Sequence, residues 1–227
     1  MGRSHSTEEY LETIYFLAFP VGEYGPVVRD SPALAARVAE MLGVSAPTAG
    51  EMLKRLEADG LIERGERRAA ILTDSGRAAA ERVVRRHRLI ERFLTDFMGY
   101  APGDCHEQAE ILADAFTDEM MERVAERLGN PERCPHGWPV DPAMEQAENG
   151  SLCALVDVEV GATATIVRLA EHDEALLQWF YEEGFTPGTT VEIEALDAEH
   201  GRLRVAVAGV SSDLEARAAA GLFVRAA

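Results

Sequence analysis

The chain has 227 residues, 47% hydrophobic and 27% charged, with a formal net charge of -18 at pH 7. This is the composition of a folded protein with room for two or three domains, which excludes disorder as the default state. No run of eighteen apolar residues appears, the opening MGRSHSTEEY lacks the apolar core of a signal peptide, and Cys105, Cys134 and Cys153 show no CxxC spacing. Membrane insertion, secretion, a disulfide framework and a four-cysteine zinc site are therefore not indicated, and the cytoplasm is the expected compartment.

TEEYLETIYFLA predicts a helix whose apolar face carries Tyr10, Leu11, Ile14, Leu17 and Ala18. After the loop FPVGEYGPVVRDS, Ser31-Pro32 reads as a cap and first-turn proline opening a helix that ends at Gly43. A third helix begins at the cap Ser45, buries Met52, Leu53 and Leu56, and ends near Gly60. Two short helices joined by a glycine turn form a helix-turn-helix signature. LIERGERRAAILTDSG then predicts a β-hairpin with Glu66, Arg67 and Arg68 at its tip, suited to act as a wing. Net acidity opposes DNA binding, which rests on Lys and Arg meeting phosphates. Most of that acidity lies in the last third, so overall charge does not veto a local basic surface: residues 1–74 hold 8 Lys+Arg and 12 Asp+Glu, 75–140 hold 9 and 12, and 141–227 hold 5 and 16.

A long amphipathic helix is expected from Ser75 to about Leu94 and a second from about His106 to Leu128, with apolar faces that a helical dimer would bury. Prolines 131, 135, 139 and 142 break helical structure, and QAENGSL reads as a linker. ATATIVRLA, TTVEIEALD, GRLRVAVAG and GLFVRAA predict a small β-barrel with an inserted helix, EALLQWFYEEG.

Residues four apart on a helix stand one above another. His87 and Glu91 thus form one donor pair, His106, Glu110 and Asp114 a second face, and Glu9 with Glu12 a third. Such imidazole and carboxylate donors suit octahedral Mn(II) or Fe(II) better than structural zinc, which more often recruits thiolates. Singly, each pair is usually a solvated helix face; the metal reading requires the pairs to converge in space.

Taken in order, TEEYLETIY, SAPTAGEMLKRLEADGLI, RRHRLIERFLTD, HEQAE and the CPHG turn resemble the motifs of the DtxR/MntR metal-dependent transcriptional regulators over almost the whole chain. The resemblance implies a mainly α fold with a small β domain: a winged helix-turn-helix DNA-binding domain at 1–74, a helical metal-binding and dimerisation domain at 75–140, a linker at 141–155, and an SH3-like (FeoA-like) β-barrel at 156–227. It also implies a homodimer that binds double-stranded operator DNA when Mn(II) or Fe(II) is present, usually repressing metal-uptake genes, with no enzyme activity.

Carried onto this chain, Glu9 stands where manganese regulators have aspartate and iron regulators methionine, and Glu12 matches a manganese-type ligand. His87 matches a family ligand, Glu91 and His106 match the ancillary site, and Glu110 stands where manganese regulators have glutamate and iron regulators cysteine. Oxygen donors at Glu9 and Glu110 make Mn(II) the expected cofactor, with Fe(II) the alternative. The chain departs from the family at Ala113 and Asp114, where Glu-His is usual; Asp114 still offers oxygen to a hard cation. Glu171 and Glu174 have the spacing of further ancillary ligands from the barrel. For DNA, Ser45, Thr48 and Arg55 are expected at phosphates, Ala46 and Pro47 near a thymine methyl, Glu51 near a base edge, and Arg67 and Arg68 at phosphate or the minor groove. Other readings are a metal-independent DNA-binding regulator, a metal buffer, and a metal-dependent hydrolase, the last unsupported by any HExxH, P-loop or GxSxG motif.

Overall fold

The computed structural model describes residues 6–18, 35–113, 115–171, 173–197 and 199–226. The cap expected at Ser31-Pro32, the loop before it and the expected ligand Asp114 lie outside these residues. The chain divides into two compact units that meet in sequence at Arg85 and Arg86, inside a helix.

In the first unit, α1 (Thr7–Ala18) buries Tyr10, Leu11, Ile14 and Leu17. α2 (Ala35–Met41) is followed by Gly43 in the left-handed region at φ 62°, and α3 (Ala46–Ala58) starts at Ser45, whose Oγ accepts from the Thr48 N–H at 3.2 Å. The cap supplies one of the acceptors that a helix N-terminus lacks. α3 buries Ala49, Leu53 and Leu56, a row at steps of four and three; Met52, beside that row, is only half-buried. β1 (Ile62–Arg64) and β2 (Ala70–Leu72) pair antiparallel with Glu66–Arg68 at the tip, as expected of a wing. α4 (Asp74–Arg92) buries Ala80, Val83 and Val84 in its first half.

The second unit begins with the last turns of α4 and a π-helical turn at Phe93–Phe97, followed by α5 (Cys105–Ala113) and α6 (Asp118–Arg127). The single helix expected from His106 to Leu128 is thus two. Thr117 starts the second, its hydroxyl accepting from the Met120 N–H at 3.3 Å, with Asp118 and Glu119 favourably placed in the first turn. Leu89, Ile90, Leu94, Cys105, Ala109, Met121 and Ala125 form this helical core. The expected linker is in large part α7 (Pro142–Asn149), capped by Asp141 with Pro142 leading the first turn.

The β domain is a six-stranded antiparallel sheet in the order β3 (Cys153–Ala154), β8 (Leu222–Ala226), β4 (Thr163–Leu169), β5 (Thr190–Asp197), β6 (Arg202–Val207), β7 (Val210–Glu215), with α8 (Glu174–Glu182) and α9 (Ala216–Ala220) inserted. β7 escaped the sequence reading because VSSDLE is polar except at Val210 and Leu214; as the outer strand beside β6 it buries only Leu214. Ile166, Leu169, Leu177, Phe180, Ile193 and Val205 fill the domain core.

The turn at residues 134–138 lies directly on β4. The Leu169 N–H donates to the His136 carbonyl at 2.9 Å, and a Cβ built on Gly137 would fall 2.0 Å from the Val167 carbonyl oxygen, at a backbone φ of 90°. We expect Gly137→Ala to lower stability by about 3 kcal/mol, combining backbone strain with steric overlap. Thermal melts of the two proteins would check this; superimposable melts would contradict the close approach.

Candidate metal centre and DNA-binding surface

The helical step that pairs His87 with Glu91 is realised on α4. His87 Nε2 lies 3.0 Å from Glu91 Oε1, with both side chains buried. α5 brings His106 alongside, its Nδ1 2.9 Å from the same oxygen and 3.0 Å from His87 Nε2. The turn after α6 adds His136, whose Nδ1 is 3.3 Å from Glu91 Oε1 and 3.1 Å from Glu171 Oε2. Glu171 stands two residues beyond the end of β4. Single donor atoms of Glu91, His106, His136 and Glu171 all lie within 4.8 Å of one another.

The donor set fits a divalent cation on several counts. Glu91 is completely buried, yet its Oε2 has no hydrogen-bond partner among the described residues. Buried carboxylate oxygens are ordinarily satisfied. His87 Nε2 and His106 Nδ1, 3.0 Å apart, are too close for both to carry protons. Neighbouring ligands on an octahedral ion with bonds of about 2.2 Å sit about 3.1 Å apart, near the separations seen here. His136 Nε2 donates to the Pro102 carbonyl at 2.8 Å, which leaves Nδ1 as its metal-facing nitrogen.

Electrostatics hold the cluster charged. Burial alone would raise the Glu91 carboxyl, but the charges of His136 and His87 and hydrogen bonds from His106 and His136 keep it well below the usual carboxylate range. Burial works against protonated His136, yet the Glu91 charge and hydrogen bonds with Cys105, Cys134 and Glu171 lift it well above an ordinary imidazole. Glu171 is pushed up by burial and by Glu91, and brought below its usual value by His136 and His106. Burial raises the Cys105 and Cys134 thiols, against the lowering effect of His136.

The expected ligands separate accordingly. The fold brings together His87, Glu91, His106 and Glu171. Glu110 lies at the margin, half exposed, with Oε1 3.8 Å from His106 Nε2. Glu174 is exposed in the first turn of α8 and stands outside the cluster. Glu9 and Glu12 belong to α1 in the other unit, where the Glu9 carboxylate accepts from the Ser6 N–H. His136 was missed as a ligand: it sits in an irregular turn where no periodicity marks it, and the CPHG motif that contains it was read as a turn.

On the first unit, Ser45, Ala46, Pro47, Thr48, Glu51 and Arg55 are all exposed on α3. The Ser45 and Thr48 hydroxyls bond each other at 2.7 Å, and Glu51 pairs with Lys54 at 2.7 Å, which offsets the repulsion its carboxylate would present to phosphate. Arg67 and Arg68 project from the wing tip with left-handed backbones at φ 53° and 62°. Arg64 ties the wing to α3 through Glu57 at 3.1 Å and to the tip through the Arg68 carbonyl at 3.3 Å.

Residues 4–70 match the iron dependent repressor N-terminal DNA-binding domain, 73–141 the iron dependent repressor metal-binding and dimerisation domain, and 153–226 the FeoA domain. The diphtheria toxin repressor of Corynebacterium glutamicum is 35% identical over 219 residues, covering 92% of this chain and 91% of that protein. The iron-dependent repressor IdeR of Mycobacterium tuberculosis is 32% identical over 201 residues, covering 83% and 84%. A solved manganese-dependent transcriptional repressor in complex with manganese superposes with a TM-score of 0.84 at 31% identity, covering 98% of this chain and all of that one.

Replacing Glu91 by Gln should weaken Mn(II) binding by about 100-fold or more, since loss of even an outer supporting group lowers affinity by about 10–100-fold. Glu174→Gln should leave it unchanged. Calorimetric titration of both variants distinguishes the buried cluster from a diffuse acidic surface, on which the two would behave alike.

Proposed function

The chain belongs to the iron dependent repressor (DtxR/IdeR) family of metal-dependent DNA-binding repressors, and on that footing we propose that it is a Mn(II)-responsive repressor of metal-uptake genes acting as a homodimer. The observation that carries the metal half of this reading is the convergence of Glu91, His106, His136 and Glu171, buried and within one ion's reach. Donors of nitrogen and oxygen favour Mn(II) or Fe(II) over a thiolate-seeking ion. Oxygen at Glu110, next to His106, favours Mn(II) of the two. Fe(II) remains the second reading, supported by the iron-dependent relatives.

A bound divalent cation supplies the positive charge that allows two buried carboxylates to stay ionised side by side. Glu91 and Glu171 present those carboxylates, and the Pro102 carbonyl fixes the tautomer of His136. His136 Nδ1 rests against the Glu91 and Glu171 carboxylates, and a proton held there must leave before Nδ1 can ligate.

For the homodimer, Phe97, Met98, Tyr100, Ile111 and Met120 expose apolar surface around the π-helical turn, α5 and α6. Water contact at so many large side chains is relieved by pairing with a second copy. A dimer presents two copies of α3, which calls for an operator with half-sites about one DNA turn apart. Ser45, Thr48, Arg55, Arg67 and Arg68 are the proposed phosphate contacts, and Ala46, Pro47 and Glu51 the proposed base contacts.

Fluorescence anisotropy of a labelled operator duplex in EDTA, Mn(II), anaerobic Fe(II) and Zn(II) tests the reading. Tight binding with Mn(II) and loss of binding in EDTA are expected; equal binding in EDTA would overturn the sensor role. Calorimetry at pH 7 in buffers of different ionisation enthalpy should show about one proton or more released per Mn(II), with affinity falling about tenfold per pH unit on acidification for each proton released.

A further inference from the structure

Beside the metal centre lies a second buried polar assembly that contributes no ligand. Arg88, on α4 between His87 and Glu91, is 1% exposed; its Nη1 donates at 2.7 Å to both Glu145 Oε2 on α7 and the Pro139 carbonyl. Arg168, on β4 three residues before Glu171, is completely buried and donates to Glu148 Oε2 at 2.8 Å and to the Glu145 carbonyl at 3.3 Å. Both guanidinium groups lie over the indole of Trp138, at 5.4 Å for Arg88 and 4.9 Å for Arg168. The Trp138 Nε1–H donates to the Leu169 carbonyl at 2.7 Å, and its ring meets Phe223 of β8 edge-on at 5.8 Å. Arg133 closes the set, donating to Glu148 and to the Gly137 carbonyl.

Every segment that delivers a metal donor passes through this joint except α5. Arg88 marks α4, Trp138 the turn that carries His136, and Arg168 the strand that leads to Glu171. A buried guanidinium is tolerable only when paired, and both arginines are paired with carboxylates or carbonyls of the chain itself, Arg88 through Nη1 alone, its Nε and Nη2 having no hydrogen-bond partner among the described residues. Arg over an indole face adds cation–π attraction, strongest where water is excluded. Between the two carboxylates lies His136 Nδ1, 3.3 Å from Glu91 Oε1 and 3.1 Å from Glu171 Oε2.

We propose that Arg88, Trp138 and Arg168, locked by Glu145 and Glu148, are positioning residues that hold the SH3-like domain on the helical domain in the absence of metal. Glu171 is then a standing part of the metal centre rather than a ligand carried in by a domain that docks on the ion. The proposal rests on the metal-sensor reading only for its consequence on affinity; the attachment itself is measured with no metal present.

The test is ¹⁵N relaxation on the full-length protein in EDTA, comparing rotational correlation times of amides in the SH3-like domain with those in α4 to α6. The wild type should show one shared time, unchanged by Mn(II). Arg168→Gln should shorten the time of the SH3-like domain alone and weaken Mn(II) binding about tenfold, with the far-ultraviolet circular dichroism of the helices retained. Glu148→Gln, which removes a partner while leaving both arginines in place, should do the same to a smaller extent and serves if Arg168→Gln does not fold. Separate tumbling of the wild-type domains in EDTA that Mn(II) abolishes would overturn the proposal, as would a shared time in both variants. A shared time in a wild type that fails to bind Mn(II) would reject the metal reading and leave the joint standing.

Discussion

One buried carboxylate organises the centre. Glu91 is wholly removed from water, three imidazole nitrogens from three separate segments approach one of its oxygens, and its other oxygen has no partner among the described residues. An ionised carboxylate in such a place is stable only beside positive charge. His136 contributes that charge in the metal-free chain, and its Nδ1 becomes a donor once deprotonated. Proton and cation are thus alternatives for the same space, which gives a buried acidic cluster a reason to exist in a folded protein.

The backbone makes this possible by giving each donor a rigid element. His87 and Glu91 lie one turn apart on α4, His106 opens α5, and Glu171 follows β4 where that strand is held by the Leu169 and Trp138 hydrogen bonds. His136 alone comes from a turn, and there Gly137 provides the left-handed backbone and the missing Cβ that let the turn lie on β4. Preorganisation of this kind reduces the ordering that binding would otherwise require.

Much of this was legible in the sequence, for physical reasons that differ from residue to residue. Helical periodicity exposed His87, Glu91 and His106 because a step of four is local information, and the Ser45 cap and the wing were legible because caps and hairpin tips have distinctive chemistry. The break at Thr117 was hidden because DEMMERVAER continues the apolar pattern across it, and α7 because its polar residues read as linker until Asp141 and Pro142 are recognised as cap and first turn. His136 and Glu171 are 35 residues apart, and no periodicity brings them together; only the packing of the turn on β4 does. Glu174, equally attractive by spacing, begins α8 and points the lesson the other way, since spacing without packing leaves a carboxylate in solvent.

The most direct measurement of the central claim is anomalous scattering at the manganese edge from crystals of the full chain grown with Mn(II). The account predicts a strong peak bonded to Glu91, His106, His136 and Glu171. Peaks confined to other residues, with His136 Nδ1 still resting on the two carboxylates, would contradict it.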